Sequence, residues 1–350
     1  MKKREIKRAL VTGASGFIGT HLVRALHAQG IHVVATDRYE PIAPLPVENF
    51  FVEDLVDGTQ WPDSMDRVDT VFHLAAIPSI ARLDEGEYQR VNVEGSMRVA
   101  RLASRHDVQK ILHMSSSTVY GIPKKYPLPE DAPIQPKNPY SRSKAEAENA
   151  FIEYSKAVVP TTIIRPRVVV GAGRAGIFGL LFASMKSNLP IPMFGGGENR
   201  FQFTAVEDLV TASILAAREE TDGRHQTYNI GCDVERTLRG EVQGLIDASG
   251  SSSRILSIPS KPFEMSMAGL YKLGISPLVP EQYQIASANF VLDTAKAKRN
   301  LGFQPKHANG DGLIEAWEWW SKRNKTESGL RGIVRSWKPK YQNALQKRER

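Results

Sequence analysis

Cysteine is almost missing. Cys232 stands alone in 350 residues, so neither an intrachain disulfide nor a cysteine-built zinc cluster can form. The eight histidines are scattered without an HExxH or comparable pairing, and no metal site is expected. No apolar run reaches the length of a spanning helix; hydrophobic residues make up 41% and mean hydropathy is −0.32. The start, MKKREIKR, is basic and runs directly into a strand-like stretch. No signal-type segment is therefore expected, and the cytoplasm is the expected compartment. Internal repeats and low-complexity tracts are lacking too. The net charge of +8 sits in the last thirty residues, where ten Lys or Arg face two Glu. The body is neutral and shows no interleaved aromatic and basic pattern, so nucleic acid is not an expected partner.

What is present begins at residues 9–19, ALVTGASGFIG. Ala9, Leu10 and Val11 suit a buried parallel strand. Gly13, Gly16 and Gly19 follow as GxxGxxG, a spacing that lets backbone approach a pyrophosphate closely. The next predicted helix, Thr20 to Gln29, aims unpaired N–H groups at the anion. A second strand, His32 to Thr36, ends in Asp37, 18 residues after Gly19, where a ribose-binding carboxylate belongs. A carboxylate repels a 2′-phosphate, which favours NAD. Arg38 can pair with such a phosphate, which keeps NADP as the alternative.

Apolar runs recur at Phe50–Val52, Thr70–Ala76, Ile111–Met114 and Thr161–Ile164, separated by helical stretches at Tyr88–Ser104 and Ser141–Val158. This alternation predicts an α/β fold, a doubly wound parallel sheet of Rossmann type, with a smaller, mostly C-terminal α/β substrate lobe. After Pro166, glycine and proline become dense, as expected of loops. A helix is expected at Val206–Ala217, a strand at Tyr228–Ile230, and helices around Arg239–Ala248, Pro262–Leu273, Thr294–Leu301 and Gly312–Arg323. The expected division is residues 1–170 with return segments about 200–232 for the dinucleotide, 171–199 and 233–322 for the substrate, and a basic tail, 323–350. In that tail Leu330, Ile333, Val334 and Trp337 recur at helical spacing among basic residues. They can dock on protein, fray in solvent, or lie on an anionic membrane surface.

Tyr140 and Lys144 form YSRSK, and residues four apart share a helix face. A tyrosine titrates near ~10, so proton transfer at neutral pH asks for a shift of about three units, roughly 4 kcal/mol. A nearby ammonium helps supply it. Taken alone, such a pair is an ordinary solvated helix face. Ser115, Ser116 and Ser117, however, close the strand Ile111–Met114, where parallel sheets place reactive groups.

Together these pieces resemble the extended short-chain dehydrogenase/reductases, the NAD-dependent nucleotide-sugar epimerases and dehydratases, with UDP-glucose/galactose 4-epimerase-like enzymes foremost. The matching motifs are TGASGFIG, Asp37, Asp54-Leu55, HLAA at 73–76, NVEG at 92–95, SSSTVYG at 115–121, YSRSK at 140–144 and RPRVVVGAG at 165–173. GGGENRFQFTAVEDL at 195–209 and DTAKAKRNLGFQPK at 293–306 extend the resemblance to about residues 8–322. It implies that Gly13, Ser15, Gly16, Phe17, Ile18 and Gly19 hold the pyrophosphate and that Asp37 and Arg38 flank the adenosine ribose. Asp54 and Leu55 would face adenine, while Leu74, Ala75 and Ala76 line the cofactor channel. Asn92 becomes a structural or cofactor-side polar residue, and Arg167 a cofactor-side one. Ser116 takes the place of the catalytic Ser/Thr, Tyr140 that of the acid/base, and Lys144 lowers its pKa and holds the nicotinamide ribose. The resemblance also implies a homodimer through the helices Tyr88–Ser104 and Ser141–Val158, although Val91, Met97, Ala100 and Ala150 can equally belong to the monomer core.

The sequence departs from this pattern in two places. Ser117 and Thr118 follow Ser116 where the dehydratases carry an acid, which counts against a sugar dehydratase. Val168 stands where many members place an Asn for the substrate diphosphate, and Arg200 is offset by one residue from its usual spacing to Asp208. Ser117, Thr118, Arg174, Lys186 and Arg200 are the expected substrate-side residues, each otherwise an ordinary surface group. Asp54 can simply cap the following turn, and His73 can be a buried strand-end histidine. The expected activity is a nucleotide-sugar epimerase of 4-epimerase type, working by transient hydride abstraction. The alternatives are an NAD(P)-dependent oxidoreductase of a small alcohol or sugar and a non-catalytic dinucleotide sensor.

Overall fold

The computed structural model describes residues 3–59, 65–81, 83–155, 159–221, 225–259 and 288–324. The expected helix Pro262–Leu273 and the tail from residue 325 onward lie outside the described residues.

The chain runs through β1 (Arg8–Thr12), α1 (Phe17–Ala28), β2 (His32–Asp37), β3 (Asn49–Val52) and β4 (Thr70–His73). Then come α2 (Glu85–Tyr88), a π-helical turn (Gln89–Glu94), α3 (Gly95–Arg105), β5 (Lys110–Met114), α4 (Pro139–Ser155) and β6 (Thr161–Pro166). The second half adds β7 (Val168–Val170), α5 (Gly179–Lys186), β8 (Ile191–Phe194), β9 (Phe203–Ala205), α6 (Val206–Arg218) and β10 (Gln226–Ile230). It continues with α7 (Leu238–Ser249), β11 (Ile255–Ile258), α8 (Ala295–Leu301) and α9 (Asp311–Arg323).

Seven strands form one parallel sheet in the order β10-β6-β5-β4-β1-β2-β3. The order reverses between β1 and β4, which opens a crevice at the carboxyl ends of those two strands. A sheet covered on both faces reads as unbroken apolar strands, and Ala9, Leu10 and Val11 are fully buried. Helix α1 turns Leu22, Val23 and Leu26 onto the sheet, packed with Ile164, Leu209 and Ile214 in one core. The other face is closed by Val99, Ala103 and Phe151 from α3 and α4. A further core lies beyond the sheet, with Phe182, Met193, Phe203, Leu245, Phe290 and Trp320 among its members.

Several expected boundaries move. Helix α1 begins at Phe17 rather than Thr20, directly after Gly16. Strand β4 stops at His73, three residues short of Ala76: after Leu74 donates to the Thr12 carbonyl in the ladder, the Ala75 amide turns to the Thr12 hydroxyl instead of pairing further. The helix expected at Tyr88–Ser104 starts at Glu85 and contains the π turn. The stretch after Pro166 is not merely loop. It holds β7, α5 and β8, and two small parallel pairs, β7 with β9 and β8 with β11, supply its regular hydrogen bonding. Among the described residues, no helix is long and apolar enough to cross a membrane.

Candidate active site

The turn between β1 and α1 is built for close approach. Gly13 has φ +71°, and a Cβ there would lie 2.7 Å from the Ala75 amide nitrogen, so only glycine fits beside the end of β4. A Cβ on Gly19 would come 2.2 Å from the Gly13 carbonyl oxygen. Gly16 caps α1 without any side-chain hydrogen bond, and the first turn of that helix carries no acidic residue. Its N–H groups thus remain available to an anion. Asp37 closes β2 beside this turn. Its carboxylate accepts from Ser15 N (3.0 Å) and Tyr39 N (3.3 Å), while Ser15 Oγ donates to the Tyr39 carbonyl. Burial raises the Asp37 pKa, opposed by the amides of Tyr39, Ser15 and Arg38.

On the other side of the crevice, β5 ends at Met114 and the chain passes through Ser115 to Ser116. Ser116 Oγ caps the short turn Ser117–Tyr120, accepting from Thr118 N (3.2 Å) and Thr118 Oγ1 (3.0 Å). With both lone pairs engaged, its own O–H is the group left to donate. Lys144 reaches this strand end from the first half of α4: its Nζ donates to the Met114 carbonyl at 2.6 Å. It is 2% exposed, and burial pushes its ammonium down to about 8, against the pull of Glu148. Tyr140, one turn earlier on the same helix, is half-buried, with its ring edge-on to Tyr88 at 6.1 Å.

Residues 9–231 match the family model of the NAD dependent epimerase/dehydratase family. The chain belongs to that family. Among its relatives, the UDP-glucose 4-epimerase of Mycolicibacterium smegmatis is 30% identical across 91% of this chain and 100% of that one. The dTDP-glucose 4,6-dehydratase of Streptomyces niveus is 25% identical, covering 89% and 92%. A solved structure of MoeE5 in complex with UDP-glucuronic acid and NAD superposes with a TM-score of 0.73 at 27% identity, over 90% of this chain and 99% of that one.

Against this family's pattern, the expected site residues divide. The glycine turn, Asp37, Leu74 to Ala76, Ser116, Tyr140 and Lys144 all flank the crevice at the carboxyl ends of the strands. Asp54 has a structural task as well: its Oδ1 accepts from Val56 N (2.9 Å) and Asp57 N (3.3 Å), so it caps the following turn. Burial would raise its pKa, but those amides together with Arg90 and Arg38 hold it below the usual range. Arg38 is drawn to Asp54, with Nε 3.8 Å from the carboxylate. Leu55 is buried against Gly95, where a Cβ would meet its Cδ2 at 2.5 Å. Asn92, buried in the π turn, grips both backbone groups of Ile77 (2.7 and 3.2 Å) and donates to Ser143 Oγ at 2.9 Å. It thereby ties the channel loop to α4.

The substrate-side expectations are more scattered. Ser117 is buried and Thr118 half-buried. Arg167, expected on the cofactor side, is sandwiched by aromatic rings, 4.5 Å from Phe201 and 3.9 Å from Phe290. Lys186 donates to the Asn324 carbonyl and lies 5.9 Å from the Trp320 ring, which ties it to the packing of α9. Arg200 is exposed and donates to the carbonyls of Val234 and Glu235 (3.2 and 3.3 Å). Arg174 is half-buried in the glycine-rich loop after β7.

His73 proves to be a buried, neutral strand-end residue. Ser96 Oγ donates to the Asn92 carbonyl (2.6 Å), so His73 Nε2 must donate to Ser96 (2.9 Å) and Nδ1 must accept from Thr12 Oγ1 (2.8 Å). Burial, with Lys144 nearby, pushes its pKa down to about 3. Sequence reading missed the polar layer beneath the site. Glu148, one turn after Lys144, pairs with Arg165 of β6 (2.6 Å) and accepts from Ser115 Oγ. Arg165 also donates to Tyr120 OH (2.8 Å) and the Glu130 carbonyl (2.9 Å), and Tyr120 donates to Asn229 Oδ1 (2.8 Å). The only sequence signal was the i, i+4 spacing of Lys144 and Glu148.

Proposed function

We propose that this protein is an NAD-dependent nucleotide-sugar epimerase of the 4-epimerase type. The observation that carries the proposal is the pairing of an uncapped glycine turn and Asp37 on one side of the β1/β4 crevice with Ser116, Tyr140 and Lys144 on the other. The residues present fit the dinucleotide. Gly13 and Gly19 let the turn fold tightly against the end of β4 and onto itself, where any Cβ would collide with backbone, and the first turn of α1 offers N–H groups without a competing carboxylate. Asp37 retains lone pairs for a ribose diol and repels a 2′-phosphate, while Arg38 is engaged toward Asp54.

Bound NAD supplies a hydride acceptor that becomes the donor on the return step. The remaining work falls to this chain. Tyr140 takes the proton of the substrate hydroxyl and later returns it, assisted by the positive charge of Lys144 one turn further along α4. The Ser116 O–H donates to that same oxygen as it becomes a carbonyl. With the proton taken and given back by the same side chain, these residues would serve an inversion without net oxidation. No carboxylate follows Ser116, and Thr118 Oγ1 is spent on Ser116 itself, so nothing at positions 117 and 118 serves as the extra acid of a dehydration. The further core around Phe182, Met193, Leu245 and Trp320 belongs to the proposed substrate lobe, with residues 171–199 and 233–322 as its chain segments.

We also propose a homodimer through α3 and α4. Between them lies an apolar groove of about 350 Å³, lined by Met97, Ala100, Ala150, Phe151 and Tyr154, with Met97 42% exposed. Incubation with UDP-glucose or UDP-glucuronic acid, followed by separation of the products, tests the function. Epimer formation without lasting absorbance of reduced nicotinamide is expected, and Tyr140→Phe should slow it by about 10²–10⁴-fold. Stoichiometric accumulation of NADH would instead favour a net oxidoreductase.

A further inference from the structure

His113 has no part in the chemistry above, yet it is fully buried directly beneath Lys144. It lies on β5 immediately before Met114, and its Nε2 is 3.5 Å from Lys144 Nζ. Its ring is 4.6 Å from Phe151 and stacks on His73 at 5.4 Å with an interplanar angle of 26°. Unlike His73, whose two ring nitrogens are both engaged, His113 has no hydrogen-bond partner at Nδ1 among the described residues. One polar contact therefore accounts for its presence, and that contact is the ammonium.

We propose that His113 is a positioning residue that accepts a hydrogen bond from Lys144, holding the ammonium charged and fixed at the end of β5. The inference rests on the reading of Lys144 as the group serving the cofactor ribose and Tyr140. The chemistry of the pair is restrictive. An ammonium can donate to Nε2 only when that nitrogen is unprotonated, so His113 must be neutral with its proton on Nδ1. Its surroundings enforce neutrality: burial, then Lys144, then His73 hold its pKa well below the usual range. An ammonium has three N–H donors. Met114 and His113 take one each, which aims the third away from the strand.

The charged groups around Lys144 come from every packed element. Glu148 on its own helix favours the charged form, Arg165 of β6 is neutralised by Glu148, His73 of β4 is neutral, and Tyr140 lies one turn away. Against burial that already disfavours the ammonium, loss of one acceptor lowers the Lys144 midpoint further. A charge-assisted hydrogen bond corresponds to about one pH unit.

The test is a pH titration of Lys144 by ¹³C-lysine NMR, assigned through Lys144→Arg, in wild type, His113→Phe, His113→Met and His113→Gln. NAD⁺ titrations at each pH accompany it. Both apolar variants should lower the Lys144 midpoint by about one unit and bring the alkaline loss of NAD⁺ affinity down with it. Gln, which offers a carbonyl acceptor, should restore much of the wild-type value. Having two apolar variants keeps the test available should one fold poorly. An unchanged Lys144 midpoint in a folded apolar variant, or Gln behaving like Phe, would overturn the role of His113. If wild type fails to bind NAD⁺ while the Lys144 shifts appear as expected, the hydrogen bond stands and the cofactor reading falls.

Discussion

Replacing Glu148 by Gln keeps the shape of a buried side chain and removes only its charge. In the structure the Glu148 carboxylate meets Arg165 through three contacts, NH2 at 2.6 Å and Nε at 3.0 and 3.2 Å, with the two side chains 3% and 6% exposed. A guanidinium left in that setting without its counter-charge costs about 3–5 kcal/mol. Lys298 and Asp233 provide the contrast, because their contact is also 2.6 Å but the side chains are 36% and 61% exposed. Asp233→Asn should cost no more than about 1 kcal/mol. Urea denaturation at pH 7 with both variants measures the two values side by side. A double-mutant cycle with Arg165→Met isolates the coupling, expected at up to about 3 kcal/mol. Equal losses at the two sites, or a Glu148→Gln protein as stable as wild type, would refute the view that burial rather than distance sets the worth of these pairs.

Other consequences are open to direct measurement. Asp37→Ala should weaken NAD binding and relatively favour NADP; equal wild-type affinity for the two cofactors, measured by calorimetry, would remove the basis for that role. His73 and His113 are held neutral, His73 with a folded pKa near 3, so below the usual histidine value the unfolded chain takes up protons that the folded chain does not. Stability is therefore full above about pH 6.5 and falls on acidification, by about 1.4 kcal/mol per pH unit for each histidine between pH 6 and 5. His21 and His307, raised despite burial by Glu207 and Asp208 respectively, are charged in both states there and do not compensate. A flat denaturation free energy across that interval would contradict the neutral assignment. Met97→Glu should dissociate the proposed dimer in sedimentation velocity, and a monomeric wild type at micromolar concentration would count against the interface.

Much of the sheet could be read in advance, because strands covered on both faces leave unbroken apolar runs such as Ala9–Val11 and Ile111–Met114. The glycine turn was legible for the same kind of reason: Gly13 and Gly19 sit where any Cβ collides with backbone. What escaped were elements whose signal is weak or tertiary. Gly179–Lys186 and Ile191–Phe194 lie among glycines and prolines, and they become regular only because Phe182, Met185 and Met193 join the further core. The π turn carries no local signature; its purpose is visible only in Asn92 gripping Ile77 and Ser143. The pairing of Glu148 with Arg165, and of Lys144 with His113, joins residues 17 and 31 positions apart. Hydrophobic periodicity has nothing to say about such pairs.

Transient hydride abstraction is the central claim, and isotope retention tests it most directly. UDP-glucose carrying deuterium at C4 would be incubated with the purified protein and the product analysed by mass spectrometry and NMR. The mechanism predicts the C4 epimer with deuterium still at C4, returned from the cofactor within the same active site. Loss of the label to solvent or to free reduced cofactor, or recovery of unchanged substrate alone, would contradict it.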